Sequence, residues 1–334
     1  MAANLPKVSL VSPVHNGGSH YSVCLEALTK LDYPTGQLEV IIVDDASTDG
    51  TRERLQEQTL PDHFTCLYPP QNLGRSAARN LGLAGATGEV VILLDGDMEV
   101  AADFVQAHIA ELARPGRQAV LGKVVRAPWV RRNRLQRYLY EYPQRGARQF
   151  APEQPITFQY LLTHNLALTR QALEAGGPFD EAFVHYGGED TLFAYRVARA
   201  YPNGLYYAAA PLARHHHQRT LKQHLADARN YGYHNLPLIV ERHPEISVPL
   251  AADYAWPLPG PFFRRKRALG TLLFNGLSYG IMRAFAPLLP PPISSTAIRY
   301  LTVAAVVRGL RRYVRQHQVG SMISPVSRGA RGSL

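Results

Sequence analysis

Two hydrophobic patterns alternate along the first half of the chain. Residues 39–43 (EVIIV) and 89–94 (EVVILL) are continuous apolar runs of the kind found in strands buried on both faces. Residues 7–13 (KVSLVSP) and 64–68 form two further β-branched or aromatic runs. Between these strands, residues 21–31, 52–58 and 75–84 carry helical patterns, with Ser47 or Thr48 available to cap the second. This alternation predicts a parallel sheet with helices on both faces. Further on, residues 104–113 and 191–200 read as helices. Residues 131–148 are basic and interleaved with Tyr138, Tyr140 and Tyr142.

The end of the chain is patterned differently. Residues 268–282 carry no charge, follow Arg264-Arg265-Lys266-Arg267 and are closed by Arg283 and a run of prolines. A spanning helix needs about 20 apolar residues. A re-entrant or interfacial hairpin is therefore expected, with a tilted span left open. In residues 298–315, Val303, Val306, Val307, Leu310, Tyr313 and Val314 share one helical face, opposite Arg308, Arg311, Arg312 and Arg315. Such a helix is expected to lie in the plane of an anionic membrane, the alternative being a helix docked on the body with its Arg face to water.

Charge sharpens this division. The 334 residues hold 36 basic and 26 acidic side chains, a formal net charge of +10. Twelve of the basic residues follow Asp253 and no acid does, so the first 253 residues balance 24 basic against 26 acidic groups. Nucleic acid is not an expected partner, since the body is acidic overall and the tail has no reading motif. A hydrophobic content of 46% excludes a disordered chain. Cys24 and Cys66 exclude a disulfide framework or a four-thiolate metal site. The opening MAANLPKVSLV lacks the marks of a secretion signal, so a cytoplasmic setting is expected.

Candidate chemistry lies where strands end, because open α/β sheets bind ligands beyond the carboxyl ends of their strands. The first strand is followed by PVHNGGS, which is not the G-x-G-x-x-G of a dinucleotide site. Asp95-Gly96-Asp97 leaves an apolar strand with two carboxylates on alternate positions. It suits a hard divalent ion that also takes diphosphate oxygens, or else is a solvated turn. The Gly between them would let a bulky ligand approach the backbone. Tyr186-Gly187-Gly188-Glu189-Asp190-Thr191 opens a helix. Its acids either complement the macrodipole or place a carboxylate on a Gly-rich loop to accept a proton from a hydroxyl. Arg214-His215-His216-His217 offers one metal-binding imidazole, or His215 with His217, since neighbours on a strand point oppositely.

Taken in order, PVHN, VDDASTDGT (43–51), NLGRSAARNLGLAGATGE (72–89), LLDGDMEV (93–100), GGPFDEAF (176–183) and GGEDT (187–191) resemble the family 2 glycosyltransferases of the GT-A fold. YGGEDT followed by ARH is also similar to a stretch of the β-1,4-galactosyltransferases, where Trp stands in place of Tyr186. The resemblance implies a Rossmann-like mixed sheet flanked by helices. It further implies that Pro13, Val14, Asn16 and Asp45 hold a uracil-type base, that Arg79 and Asn80 lie near the nucleotide, and that Asp95 lies near the ribose or sugar. Asp97 and His215 would bind Mn²⁺ or Mg²⁺. Asp190 would be the general base and Glu189 would contact acceptor or donor sugar, with Asn165 and Tyr186 near the acceptor. The Q-x-x-R-W pattern of processive members is missing from HQRTLKQH, which favours single transfers.

The expected organisation is a catalytic domain over residues 1–220, divided at about residue 100 into nucleotide and acceptor halves. A helical, Pro-rich linker (221–261), basic membrane-associating helices (262–318) and a disordered tail (319–334) would follow. The expected activity is inverting, metal-dependent sugar transfer from a nucleotide-sugar donor to a glycan or glycolipid acceptor, at the inner face of the cell membrane and in cell-envelope polysaccharide assembly. The alternatives are a nucleotide-sugar-binding membrane protein without turnover and a nucleotidyltransferase.

Overall fold

The computed structural model describes residues 5–319, and the expected disordered tail beyond residue 319 lies outside them. The described chain forms two compact units, meeting in sequence at Arg219 and Thr220.

The first unit is built on one eight-stranded sheet. Its strands are β1 (Val8–Val14), β2 (Leu38–Asp44), β3 (Phe64–Leu67), β4 (Val90–Leu94), β5 (Met98–Val100), β6 (Ala119–Arg126), β7 (Asn165–Thr169) and β8 (Leu205–His215), in the order β3-β2-β1-β4-β7-β6-β8-β5. The first four in that order are mutually parallel, as the alternating pattern predicts. β7 runs antiparallel to β4 and β6, and β5 antiparallel to β8, so the sheet as a whole is mixed. β1, β2 and β4 therefore end on one rim.

Each strand sends alternate residues to two helical layers. Leu10, Ile42 and Ile92 pack with α1 (Tyr21–Thr29), α2 (Thr51–Glu57) and α4 (Phe104–Leu112). Val11, Val43 and Val91 pack on the other face with α3 (Arg75–Ala84), α6 (Arg170–Gly176) and α7 (Glu189–Ala200). Between them in sequence lies α5 (Arg134–Tyr140). α3 sits very close to the sheet: a Cβ on Gly82 would come within 2.5 Å of Val11 Cγ1. Neither Ser47 nor Thr48 caps α2. Asp49 Oδ1 accepts from the Thr51 amide at 3.1 Å, while Ser47 Oγ accepts from the Asn16 amide.

The second unit is helical. α8 (Leu221–Asn230) opens with a capping box from Thr220 and Gln223 and runs through a π-turn into α9 (Leu236–Arg242). α10 (Pro261–Leu273), α11 (Gly276–Phe285) and α12 (Ile293–Gln316) complete it. Residues 221–261, expected as a linker, supply part of its core: Leu236, Val240, Ala252 and Trp256 pack with Ala304, Val307 and Leu310 of α12.

The in-plane membrane helix expected over 298–315 is corrected by this packing. The apolar stripe of α12 faces the unit's own core, and Leu301, which lies outside that stripe, is itself fully buried. Its Arg face is also engaged. Arg308 Nη1 donates to Asn275 O at 3.3 Å, and Arg311 donates to Phe274 O and Tyr254 O. Periodicity shows that a helix has an apolar face, but not what covers it. Among the described residues, no helix is long and apolar enough to cross a membrane.

Candidate active site

The loops at the ends of β1 and β2 are tied into one another. His15 Nδ1 donates to Asp45 O at 2.7 Å, and Asn16, held at a φ of 52°, accepts from the Thr48 amide through Oδ1. The Asp45 carboxylate takes the amides of Leu73 and Gly74 at 2.6 and 3.0 Å, clasping the loop before α3. Val14 is buried, with Pro13 half-buried beside it.

Asp95-Gly96-Asp97 follows β4 on the same rim. Gly96 is dictated by the fold: an added Cβ would lie 2.9 Å from Val14 Cβ and 3.0 Å from Pro13 O. The space is filled by β1, which corrects the expectation that this Gly leaves room for a ligand. Both flanking carboxylates remain half-exposed.

Arg79 of α3 organises the centre. Its buried guanidinium donates to Asp95 Oδ1 at 2.9 Å and to Glu189 Oε1 at 3.0 Å, joining the end of β4 to the start of α7. Burial would weaken its charge, but the two carboxylates hold it firmly protonated. Glu189 is buried as well, and its Oε2 has no hydrogen-bond partner. Asp190, next in sequence, is half-buried at the N-terminus of α7. Burial first, and the neighbouring Glu189 charge second, push its carboxyl up to about 7 against the opposing pull of Arg79.

At the far end of β8, His215 Nε2 lies 2.9 Å from Asp97 Oδ2, and its Nδ1 lies 2.7 Å from Tyr140 Oη. Burial alone would raise the Asp97 pKa. The adjacent His215 instead carries it down to about 2. His216 points the other way, pairing with Glu99 Oε2 at 2.7 Å and accepting from Trp129 Nε1. Strand alternation thus singles out His215, with His217 stacked 5.7 Å from it.

The half-exposed ring of Tyr186 lies between two guanidiniums, Arg75 at 4.3 Å and Arg219 at 4.9 Å. Arg75, Arg219 and Tyr140 were not anticipated. The sequence marked only a basic, Tyr-interleaved stretch around the last of these.

Two expected site residues have other duties. Asn80 exchanges hydrogen bonds with the main chain of Phe179 at 2.8 and 2.9 Å and also donates to Glu181, clasping α3 to the GGPFD turn. Asn165 is 0% exposed. Its Oδ1 meets His108 Nε2 at 2.8 Å and its Nδ2 donates to Lys123 O and Pro211 O. Its expected place beside an acceptor is therefore corrected: it is a core clasp joining α4, β6, β7 and β8.

This geometry, with the loops after β1 and β2 tied together and a carboxylate cluster on the same rim, is that of a GT-A-like glycosyltransferase fold. The family model for "Glycosyl transferase family 2" matches residues 9–177, and the chain belongs to that family. It is 33% identical over 125 residues to Glycosyltransferase AglE of Haloferax volcanii, covering 37% of this chain and 41% of that protein. It is 29% identical over 248 residues to the pre-mycofactocin glycosyltransferase of Mycobacterium tuberculosis, covering 73% and 49% respectively. The matched region thus spans less than half the length of either relative. Among solved structures it resembles the mannosyltransferase PcManGT of Pyrobaculum calidifontis in complex with GDP-Man and Mn²⁺. The TM-score is 0.57 at 22% identity, over 92% of this chain and 88% of that one.

Proposed function

We propose that this chain is an inverting, metal-dependent glycosyltransferase moving a sugar from a nucleoside-diphosphate donor, uridine-linked by family resemblance, to a hydroxyl of a lipid-linked or cell-envelope glycan. The observation that carries this reading is the convergence of Asp97–His215, the Asp95–Arg79–Glu189 bridge and Asp190 within one unit. The Mn²⁺ and GDP-Man bound by the mannosyltransferase support a divalent metal and a nucleotide sugar here.

The residues present fit a divalent ion. Asp97 Oδ1 is buried without a hydrogen-bond partner, beside the imidazole of His215. Among the described residues no group of three or more His, Cys, Asp or Glu side chains is placed to hold a metal alone. Asp97 and His215 would therefore bind it together with donor oxygens, as hard cations bridging phosphates do. When bound, it would neutralise charge developing on the departing diphosphate.

The chain's own groups supply the rest. Pro13, Val14, Asn16 and Asp45 would hold the base, as the family resemblance implies. Arg79 fixes Asp95 toward the ribose or sugar and holds Glu189 in register with it. Asp190, with its raised pKa, takes the proton of the acceptor hydroxyl as the new bond forms. One such base opposite the leaving group gives a single displacement with inversion. Tyr186, held against Arg75 and Arg219, would lie on the acceptor side of the site.

A hydrolysis screen across uridine, guanosine and thymidine sugars tests this proposal. Release of a nucleoside diphosphate is expected with Mn²⁺ or Mg²⁺ and is lost in chelator. Metal-independent release, or none from any donor, overturns it.

A further inference from the structure

Among the described residues, the second unit exposes a set of large apolar side chains on two helices adjacent in sequence. On α10, Leu269, Leu272 and Leu273 face outward at i, i+3 and i+4; on α11, Leu277, Ile281 and Phe285 do so at i, i+4 and i+8. These spacings place each set on one side of its helix. Leu272 is 69% exposed and Leu277 75%, and Leu288 follows at 73%. Exposure repeated along one side of each helix differs from the scattered apolar residues of an ordinary surface.

Charge identifies what covers it. Arg264 and Arg265 of α10 and Arg283 of α11 are exposed on the same two helices, and no acidic residue follows Asp253 in the sequence. Arg265 lies on the leucine side of α10, so a second copy of that side would bring like charges together, while Arg283 lies on the other side of α11. Residues 320–334 carry Arg328 and Arg331, no acid and few large apolar side chains, so their composition complements neither part of the surface. An anionic lipid surface complements both, taking apolar side chains below the headgroups and Arg at them.

We infer that α10 and α11 form a lipid-docking face, and that α12, whose stripe is spent in the core, does not. Neither helix spans a bilayer: at 13 and 10 residues both are too short. The two lie in the interface, joined at Phe274 and Asn275, where Asn275 caps α11 by accepting from the Ser278 amide at 2.8 Å. This inference concerns a surface remote in sequence from the catalytic motifs and does not rest on the transferase reading.

Flotation of the full chain with vesicles tests it. The protein is expected to float with phosphatidylcholine vesicles containing phosphatidylglycerol and far less with phosphatidylcholine alone. Combining Leu272→Glu, Leu277→Glu and Ile281→Glu changes only exposed positions, so the circular dichroism spectrum and melting temperature stay those of the parent. The bound fraction should fall about tenfold or more, as apolar insertion is replaced by repelled charge. Replacing Arg264, Arg265 and Arg283 by Ser should remove the preference for anionic vesicles. Equal flotation of the Glu variant overturns the inference, as does absence of flotation for the parent. So does a concentration-dependent dimer that the Glu variant dissociates while neither protein binds vesicles. Donor hydrolysis in solution, read in parallel, separates a failed docking face from a failed catalytic assignment.

Discussion

Arg79 and Glu189 form an ion pair buried on both sides, with 3.0 Å between Nη1 and Oε1, although 110 residues separate them in sequence. Removing one partner of a buried pair costs about 3–5 kcal/mol, because the other charge is stranded. Arg79→Ala is expected to lose stability in this range, measured by urea unfolding of the first unit. Arg79→Lys should recover only part, since one ammonium cannot reproduce the fork that spans Asp95 and Glu189.

Asp190→Asn should lower turnover by about 10²–10⁴-fold, the usual contribution of a positioned base. Binding of the nucleoside diphosphate, measured by calorimetry, should be unchanged. Parental turnover in the Asn variant would displace Asp190 from its role.

The pH dependence of kcat/KM follows from the same carboxyl. A base raised to about 7 is protonated below that pH, so activity should climb with pH up to about 7 and then level. Glu189→Gln removes a repelling charge and should move this limb to lower pH, while Arg79→Ala removes an attracting one and should move it higher. Stability runs in the opposite sense. The folded chain keeps the Asp190 proton where the unfolded chain has lost it, so this group's contribution is full below the ordinary Asp range and is lost as pH rises to about 7. The melting temperature of Asp190→Asn, relative to the parent, should therefore increase across that interval.

His215→Ala should weaken Mn²⁺ binding and leave His216, engaged by Glu99 and Trp129, unable to substitute. The metal concentration for half-maximal donor hydrolysis is expected to rise roughly 10–100-fold, at the scale seen when a site's supporting groups are lost. His216→Ala should disturb stability more than metal affinity.

Asn165→Ala leaves His108 and two main-chain carbonyls without a buried partner and should cost about 1–3 kcal/mol, with the acceptor KM unchanged. His108, pushed down to about 4 by burial, stays neutral in the fold. Its contribution is present above the ordinary His range and is lost as pH falls from about 6.5 toward 4. Melting curves over that interval should show the decline, and His108→Gln should flatten it.

How far the sequence revealed this structure depended on whether a pattern was local. The 75–84 helix and the buried runs 39–43 and 89–94 carry their period within a few residues, and their observed bounds agree within a residue or so. β8 does not. LYYAAAPLARH has no clean alternation, contains Pro211, and pairs with β6 through an irregular register at Gly122/Lys123. Asp97 and His215 were both named as metal ligands, but their meeting across 118 residues depends on that strand. Asn165 was misplaced for the same reason: its partners at His108, Lys123 and Pro211 are all remote in sequence.

The junction of α10 and α11 is held from beneath by Arg308 and Arg311, which donate to the main-chain oxygens of Asn275, Phe274 and Tyr254. These bonds act alongside the apolar packing of Phe274, Tyr279, Met282 and Ala286, while the leucines of both helices stay exposed. Bonds of fixed direction hold the junction in one orientation, so the exposed leucines of α10 and α11 keep a constant placement.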